Sequence, residues 1–265
     1  MDTVAINNLI VGKSAISAVF NEPLVVGVYA RNYRLVDEFL DALAGLNPTQ
    51  GKITYNNEDV FDNANYFQKR LLFNFAKPCV STLRTNYLKD QIATNWELTF
   101  DENKFKKLVK ELSIRSEVSI DYHYCFTKAG NTLTNYATVK ALDKSLLLIK
   151  NPTVHLNSFE QIDPVVSGLT DKNASSFVFL GMENLKNFAG KLDYVILIGN
   201  EQTVIVNPKL EKMMAVSGEE NLQEVVFRGE VNITRDVYDK AVTRLWDKQK
   251  RSYQRISVFD IEVFR

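Results

Sequence analysis

Short apolar runs alternate with amphipathic segments along the first two thirds of the chain, which predicts strands and helices packed in layers. Leu35–Leu46 places its apolar residues at helical spacing, so a helix is predicted there, ending at Asn47 and Pro48. Runs of consecutive apolar residues predict buried strands at Glu22–Ala30, Ser145–Lys150, Ser175–Gly181 and Tyr194–Gly199. Together these segments predict an α/β core.

The segments between these runs differ in character. The stretch from Gly51 alternates like a strand and turns at Asn56 and Asn57, and Lys69–Lys77 is a further strand prediction. From about residue 78 to 144 the chain becomes more polar and helical, with an amphipathic helix predicted over Glu102–Leu112. We therefore expect a helical insertion in the middle of the core.

The last part of the chain, from Asn207, mixes both kinds of pattern. A strand is predicted at Glu224–Gly229, a helix over Thr234–Lys250 and a closing apolar segment at Ile256–Phe264. The predicted organisation is one domain over residues 1–206, with its helical subdomain at about 78–144, and a small α+β extension over residues 207–265.

Composition and charge narrow the class of protein. The 265 residues are 45% hydrophobic and 11% aromatic, which is enough apolar material for a large core. Lys and Arg equal Asp and Glu at 32 each, so no overall basic field would recruit nucleic acid or an anionic membrane. Two distant cysteines, no run of ~18 apolar residues and no signal-peptide pattern indicate a cytoplasmic protein without direct membrane insertion.

A partial phosphate-loop motif and two histidines are the other candidates for a functional site, and both are interpreted as structural. The sequence VGKSA contains the last three letters of a phosphate-binding loop, but the first glycine of that motif would fall on Asn7 and no helical pattern follows. It is interpreted as a loop or strand edge. His123 and His155 have no partners at metal-ligand spacing, so no metal site is predicted.

The first buried strand leads into a helix through GVYARNYRLVDEFL, the place where a phosphate-binding loop would lie. The sequence that follows resembles the nucleotide-binding subunits of ATP-binding cassette (ABC) transporters, in which this helix ends in Ala-Gly-Leu before Pro-x-x-Gly and a strand. Matching residues stand at Ala44, Gly45, Leu46, Pro48, Thr49, Gly51, Ile53 and Asp59. The resemblance runs over roughly residues 1–206 and implies a P-loop NTPase-like ABC cassette: a RecA-like mixed sheet core, an inserted helical subdomain and the small C-terminal extension.

The resemblance also shows what the phosphate loop has lost. The family's loop glycines fall on Ala30, Tyr33 and Leu35, its lysine on Val36 and its magnesium-binding hydroxyl on Asp37, and only Asn32 resembles the usual loop. Side chains at the glycine positions oppose the close backbone approach that phosphate requires. Val36 cannot offset phosphate charge, and Asp37 would repel it.

The strand and loop at Ser145–Asn157 resemble the Walker B region of the family. The magnesium-holding aspartate falls on Lys150, the general-base glutamate on Asn151 and the loop aspartate on Asn157. An ammonium repels magnesium, and an amide does not accept a proton from water at neutral pH. The family's switch histidine falls on Met182.

The family signature Leu-Ser-Gly-Gly-Gln resembles FTKAG. Its serine falls on Thr127, its two glycines on Lys128 and Ala129, and its last residue on Gly130. In the family this segment closes over a nucleotide held by the other subunit of a pair. The hydroxyl of Thr127, the small Ala129 and a helix predicted over Asn131–Leu142 would still allow this. Lys128 would either add a phosphate contact or block the approach. The family's glutamine loop is placed at Ala76.

These positions imply a degenerate, non-hydrolysing subunit of an ABC exporter at the inner face of the membrane. The exporter type is implied by the closing segment Ile256–Phe264, which resembles the short ending of many exporter-type ABC subunits. The chain would pair with a catalytic ABC ATPase subunit and couple to a membrane permease. No cofactor is predicted for this chain alone, and Mg-ATP is possible at a site shared with the partner. The open alternatives are a scaffold for the permease, an interaction or immunity module outside any pump, and an active ATPase with an atypical site.

One substitution pair leads to a structural hypothesis. In the family, the residues at positions 37 and 150 face each other across the magnesium ion. Asp37 and Lys150 carry opposite charges, so we expect them to form an ion pair directly. We also expect Asp37 to lie in the first turn of its helix, where a carboxylate complements the positive end of the helix dipole.

Overall fold

The computed structural model describes residues 2–47, 50–77, 100–114, 127–182, 185–188, 190–199 and 203–207, and the backbone of three later strands. The helices are α1 Tyr33–Leu43, α2 Ala64–Lys69, α3 Glu102–Glu111, α4 Lys128–Leu142 and α5 Phe159–Leu169, with a 3₁₀ turn at Lys186–Phe188. The strands are β1 Thr3–Val11, β2 Ser14–Asn21, β3 Leu24–Ala30, β4 Lys52–Tyr55, β5 Glu58–Asp59, β6 Arg70–Asn74, β7 Leu146–Lys150, β8 Phe177–Gly181, β9 Tyr194–Ile198, β10 Thr203–Val206, β11 Met213–Ser217, β12 Val225–Phe227 and β13 Ser252–Ile256.

The central sheet has six strands in the order β10-β9-β3-β8-β7-β6. All neighbouring pairs are parallel except β10 with β9. Every residue of β3, β7 and β8 is buried, which explains why these strands are continuous apolar runs: both faces of the sheet are covered. The carboxyl ends of the five parallel strands meet at one edge, and β8 separates β3 from β7 there.

The two faces of the sheet belong to two hydrophobic clusters. Alternate residues of β7, such as Leu147 and Ile149, pack with α3, α4 and α5. The intervening residues, such as Leu146 and Leu148, pack with α1 and the smaller sheet. Because side chains alternate across a strand, one apolar run supplies both clusters.

The smaller sheet is antiparallel, with strand order β2-β1-β4-β5. Its β4–β5 hairpin turns at Asn56 and Asn57, whose φ angles are 53° and 69°. Asparagine tolerates this left-handed backbone better than most side chains, which is why Asn-Asn marks the turn. The turn predicted from the sequence is confirmed.

The element boundaries adjust several predictions. Helix α1 stops at Leu43 rather than Leu46, because Gly45 adopts φ +67° and ends the helix. Within the predicted strand Lys69–Lys77, only Arg70–Asn74 is extended, and Lys69 ends α2. The β1–β2 hairpin had no counterpart among the sequence predictions.

The predicted extension from Asn207 is described in part. Strand β12 lies within the segment predicted as a strand, while β11 was not predicted. The helix predicted over Thr234–Lys250 lies outside the described residues, as does the closing segment after Ile256. In the part of the chain that the structure describes, no helix combines the length and apolarity needed to cross a membrane.

Candidate functional site

The connection from β3 to α1 is short. It consists of Arg31 and Asn32, and Ala30 is the buried last residue of β3. Asn32 caps α1: its Oδ1 accepts a hydrogen bond from the Arg34 backbone N–H at 3.2 Å. Its carbonyl oxygen accepts another from the Leu35 N–H at 3.0 Å. Two N–H groups at the helix start, where an anion would bind, therefore already have protein partners.

Tyr33, at the position of the second loop glycine, reaches across the edge of the sheet. Its hydroxyl donates to the Gly181 carbonyl oxygen at the end of β8, at 3.1 Å. The Tyr33 hydroxyl oxygen in turn accepts a hydrogen bond from the Asn151 backbone N–H just after β7, also at 3.1 Å. The side chain thus ties the start of α1 to the ends of two strands.

The next two loop positions are part of the apolar core. Val36, at the lysine position, is fully buried and packs against Gly181, where an added Cβ would lie 2.6 Å from Val36 Cγ1. Leu35 is 9% exposed and lies beneath the β1–β2 turn, where a Cβ on Gly12 would come within 2.8 Å of Leu35 Cδ2. Gly12 and Lys13 form this turn, and the other residues of VGKSA lie at the adjoining ends of β1 and β2, as expected of a loop or strand edge.

The ion pair expected between positions 37 and 150 is present. Lys150 Nζ lies 3.0 Å from Asp37 Oδ1. It also donates a hydrogen bond of 2.7 Å to Asp41 Oδ1, a partner that the sequence analysis missed. The spacing of Asp37 and Asp41, four residues apart on one helix face, was the available signal. The lysine side chain is 10% exposed, so its ammonium is held almost out of solvent between two carboxylates.

The two carboxylates are not equivalent. The Asp37 Oδ1 atom is buried and has no hydrogen-bond partner, so its contact with Lys150 is an ion pair without hydrogen-bond geometry. The Asp37 side chain is 41% exposed against 25% for Asp41. Asp37 is the fifth residue of α1, so the expectation that it lies in the first turn at the positive end of the helix dipole is wrong. Its carboxylate instead points to the end of β7.

Asn151, at the general-base position, is bonded through backbone and side chain. Its φ is 55°, and its N–H also lies 2.8 Å from the Gly181 carbonyl oxygen. Its Nδ2 donates to Asn74 Oδ1 at 3.3 Å. Asn74 Oδ1 in turn accepts from the backbone N–H of Ala76, the predicted glutamine-loop position, at 2.9 Å. The structure therefore brings positions 151 and 76 together through Asn74.

The remaining two equivalents in this half of the chain lie directly after β8 and in the loop before α5. Met182 is 1% exposed and belongs to the core, with its methyl group close to Gly27 of β3. Its N–H donates to the Val28 carbonyl oxygen at 3.1 Å. Asn157 is exposed in the loop before α5.

The signature equivalents form the start of α4. Thr127 is the N-cap residue, and its Oγ1 accepts a hydrogen bond from the Gly130 N–H at 2.9 Å. Thr127 and Lys128 are exposed, Ala129 is half-buried and Gly130 is buried. The helix begins at Lys128, three residues before the predicted start at Asn131, because the threonine cap satisfies one of its first N–H groups.

Strongly shifted pKa values occur elsewhere, beside the smaller sheet. Burial alone would raise the pKa of Asp2, but hydrogen bonds from Lys69, Tyr55 and Asn56 outweigh it and lower the pKa to about 2. The hydrogen bonds that Lys69 donates to Asp2 and Tyr55 raise the pKa of Lys69. Burial and the bond to Asp2 raise the pKa of Tyr55. This cluster joins β4 to α2 and the start of the chain.

A second group of pKa shifts lies on α4. Burial raises the pKa of Tyr136 to about 12 and lowers that of Lys140, whose Nζ donates to the Gly168 carbonyl oxygen at 3.2 Å. These groups contact α5 rather than the strand ends. Neither cluster coincides with the edge where the resemblance places the nucleotide.

No protein-family model and no curated protein sequence matches the chain. Its structure is similar to solved ABC-transporter proteins, each 13% identical in sequence. An ATP-binding subunit of an ABC transporter aligns with a TM-score of 0.62 over 77% of this chain and 89% of its own. CbiO1 of Clostridium perfringens, part of the transporter complex cbiONQ, also gives 0.62, over 78% and 88%. A putative ABC-transporter ATP-binding protein from Pyrococcus furiosus gives 0.58, over 74% and 96%. The chain has the fold of ABC-transporter ATP-binding subunits.

Proposed function

We propose that this chain is a degenerate ABC cassette that does not hydrolyse ATP and serves as one subunit of an exporter. It pairs with a catalytic ABC subunit and couples that subunit to a membrane permease, peripherally at the cytoplasmic face. The observation that carries this proposal is the Lys150 ammonium lying 3.0 Å from Asp37 and 2.7 Å from Asp41. The resemblance places magnesium between positions 37 and 150, and here a side-chain cation lies there.

The surrounding contacts support the same conclusion. Magnesium and an ammonium cannot share this space, because their charges repel and the lysine already uses both carboxylates. Buried Val36 offers no charge to a phosphate. Tyr33 and Asn32 already bond the groups at the start of α1 and at the ends of β7 and β8. A nucleotide would have to displace these contacts before it could bind.

The start of α4 supports a role in a pair. Thr127 and Lys128 are exposed at the positive end of a 15-residue helix. In this proposal that end closes over Mg-ATP held by the catalytic partner, while this chain contributes no hydrolytic group. The assignment to an exporter rests on the closing segment Ile256–Phe264, which lies almost entirely outside the described residues.

Calorimetry with Mg-ATP up to millimolar concentration, together with a phosphate-release assay, tests the proposal on the purified chain. We expect neither binding heat nor turnover. The Lys13→Met variant is the matched control for VGKSA, the sequence that contains the last three letters of a phosphate-binding loop. Binding that disappears in Lys13→Met would place a nucleotide at the β1–β2 turn, and magnesium-dependent turnover in the unmodified chain would overturn the proposal and restore an active ATPase.

A further inference from the structure

A buried amide connects α4 to the turn that follows β6. Asn135 is fully buried, and its Nδ2 donates to the carbonyl oxygens of Phe75 at 3.1 Å and Lys77 at 2.7 Å. About sixty residues of chain separate the amide from these acceptors. Because both N–H bonds of one amide are used, the helix is held in a defined direction as well as at a defined distance.

The side chain of Asn74 sets the shape of that turn. The Asn74 Oδ1 atom accepts a hydrogen bond from the Ala76 N–H at 2.9 Å, and the backbone carbonyl oxygen of Asn74 accepts one from the Lys77 N–H at 3.2 Å. These two bonds close the turn and present the carbonyl groups that Asn135 binds. The Asn74 Oδ1 atom also accepts from Asn151 Nδ2 at 3.3 Å, which connects the turn to the end of β7.

The contacts continue to the start of α1. The Asn151 N–H donates to the Tyr33 hydroxyl, and the Phe75 N–H donates to the Lys150 carbonyl oxygen at 2.9 Å. A series of hydrogen bonds therefore crosses the carboxyl edge of the sheet from α1 to α4. This is the edge at which open α/β sheets bind their ligands. Every link in the series is a protein group.

We propose that Tyr33, Asn151, Asn74 and Asn135 are positioning residues that hold α4 in place without a bound nucleotide. The inference rests on the proposed function, in which α4 closes over the partner's Mg-ATP. A second buried bond, from Thr132 Oγ1 to the Val154 carbonyl oxygen at 2.7 Å, anchors the first turns of α4 to the loop after β7. The subunit thus presents a capping helix whose position is independent of its own nucleotide occupancy.

Hydrogen exchange on the purified full-length chain tests this inference. Asn74→Ala removes the acceptor at the centre of the series, whereas Asn74→Asp keeps an acceptor oxygen for Ala76 and Asn151. We expect exchange at residues 130–134 and 76–77 to become about tenfold faster in Asn74→Ala, the scale of one lost buried hydrogen bond, and to stay near the unmodified rate in Asn74→Asp.

A second pair of variants separates positioning from general stability. Tyr33→Phe should produce a smaller increase at the same residues, because the Asn151 N–H keeps its contact with Gly181. Tyr194→Phe, at the start of β9 in the same sheet, should produce none. Unchanged exchange at α4 in Asn74→Ala would overturn the inference, and so would a uniform increase over the whole chain in every variant.

The same hydrogen-exchange measurement is repeated with Mg-ATP present. Millimolar Mg-ATP should leave exchange at residues 130–134 of the unmodified chain unchanged, and protection of these residues by Mg-ATP would contradict a nucleotide-independent position. The variant comparison itself uses no nucleotide. Its result therefore stands or fails separately from the calorimetry that tests the proposed function.

Discussion

Two lysines of this protein each bind two oxygen-bearing side chains, and the two clusters differ in burial and in place. Lys150 is 10% exposed and lies between Asp37 and Asp41 at the carboxyl edge of the central sheet. Lys69 is 35% exposed and binds Asp2 at 2.8 Å and the Tyr55 hydroxyl at 2.9 Å beside the smaller sheet. Shifted pKa values mark the second cluster, yet only the first lies where the fold resemblance places a ligand. Perturbed titration alone would have pointed away from the edge where the resemblance places a ligand, because structural ion pairs shift pKa values as well.

The largest effect should come from removing the buried cation. Lys150→Met leaves Asp37 and Asp41 facing each other with no counter-charge, and we expect a loss of about 2–4 kcal/mol in the free energy of unfolding. Urea denaturation at neutral pH measures it. Lys106→Met, which removes an exposed ion pair with Glu102, is the control and should cost below about 0.5 kcal/mol. Equal losses in the two variants would show that burial does not distinguish these ion pairs.

The next largest effect should be a difference in stability between variants of the two aspartates around Lys150. Asp41→Asn should cost about 1–2 kcal/mol, because it weakens a charge-assisted hydrogen bond at a mostly buried position. Asp37→Asn should cost below about 1 kcal/mol, since its contact lacks hydrogen-bond geometry and its side chain is more exposed. The same denaturation experiment compares them, and a larger loss in Asp37→Asn would reverse this ranking.

The Lys69 cluster should make the free energy of unfolding depend on pH. The pKa of Asp2 in the folded protein is about 2, below its ordinary value of 3.8, so its contribution is present above pH 3.8 and is lost as pH falls towards 2. Because solvent screens the partly exposed pair, we expect about 1 kcal/mol. The raised pKa of Lys69 has the opposite sign: its contribution is present below its ordinary value of 10.5 and is lost as pH rises through the folded value.

Denaturation of the unmodified chain and of Asp2→Asn at pH 7, 3 and 2 measures the acid contribution. The difference in stability between the two proteins should shrink as pH falls. A difference that stays constant from pH 7 to pH 2 would contradict the lowered pKa of Asp2.

The smallest effect should be a gain of magnesium binding. Lys150→Ala leaves two carboxylates in the place of the ammonium, so millimolar magnesium should stabilise this variant and leave the unmodified chain unaffected. The gain is about 0.4 kcal/mol when the magnesium concentration equals the Kd. Thermal unfolding with and without magnesium measures it. Calcium serves as the comparison cation, and equal stabilisation of variant and unmodified chain would contradict displacement of magnesium by Lys150.

The sequence predicted much of the framework because local patterns determine it. Continuous apolar runs identified β3, β7, β8 and β9, since strands buried on both faces carry no polar alternation. The Asn56 and Asn57 turn was predicted because few other residues accept its backbone angles. The start of α4 was placed three residues late, because the cap bond of Thr127 was not recognised. The β1–β2 hairpin was not predicted, because strand pairing depends on contacts along the whole strand and not on one local pattern.

Within the candidate site, the sequence determined which chemical groups stand at each position, including the opposite charges of Asp37 and Lys150. Only the tertiary structure decided that Asp41 shares the lysine, that Tyr33 bridges two strand ends and that Asn135 holds the turn after β6. These contacts join residues from 58 to 148 positions apart. Their partners are set by the order of strands in the sheet and by the packing of α1 and α4 on its two faces, which no local pattern of residues contains.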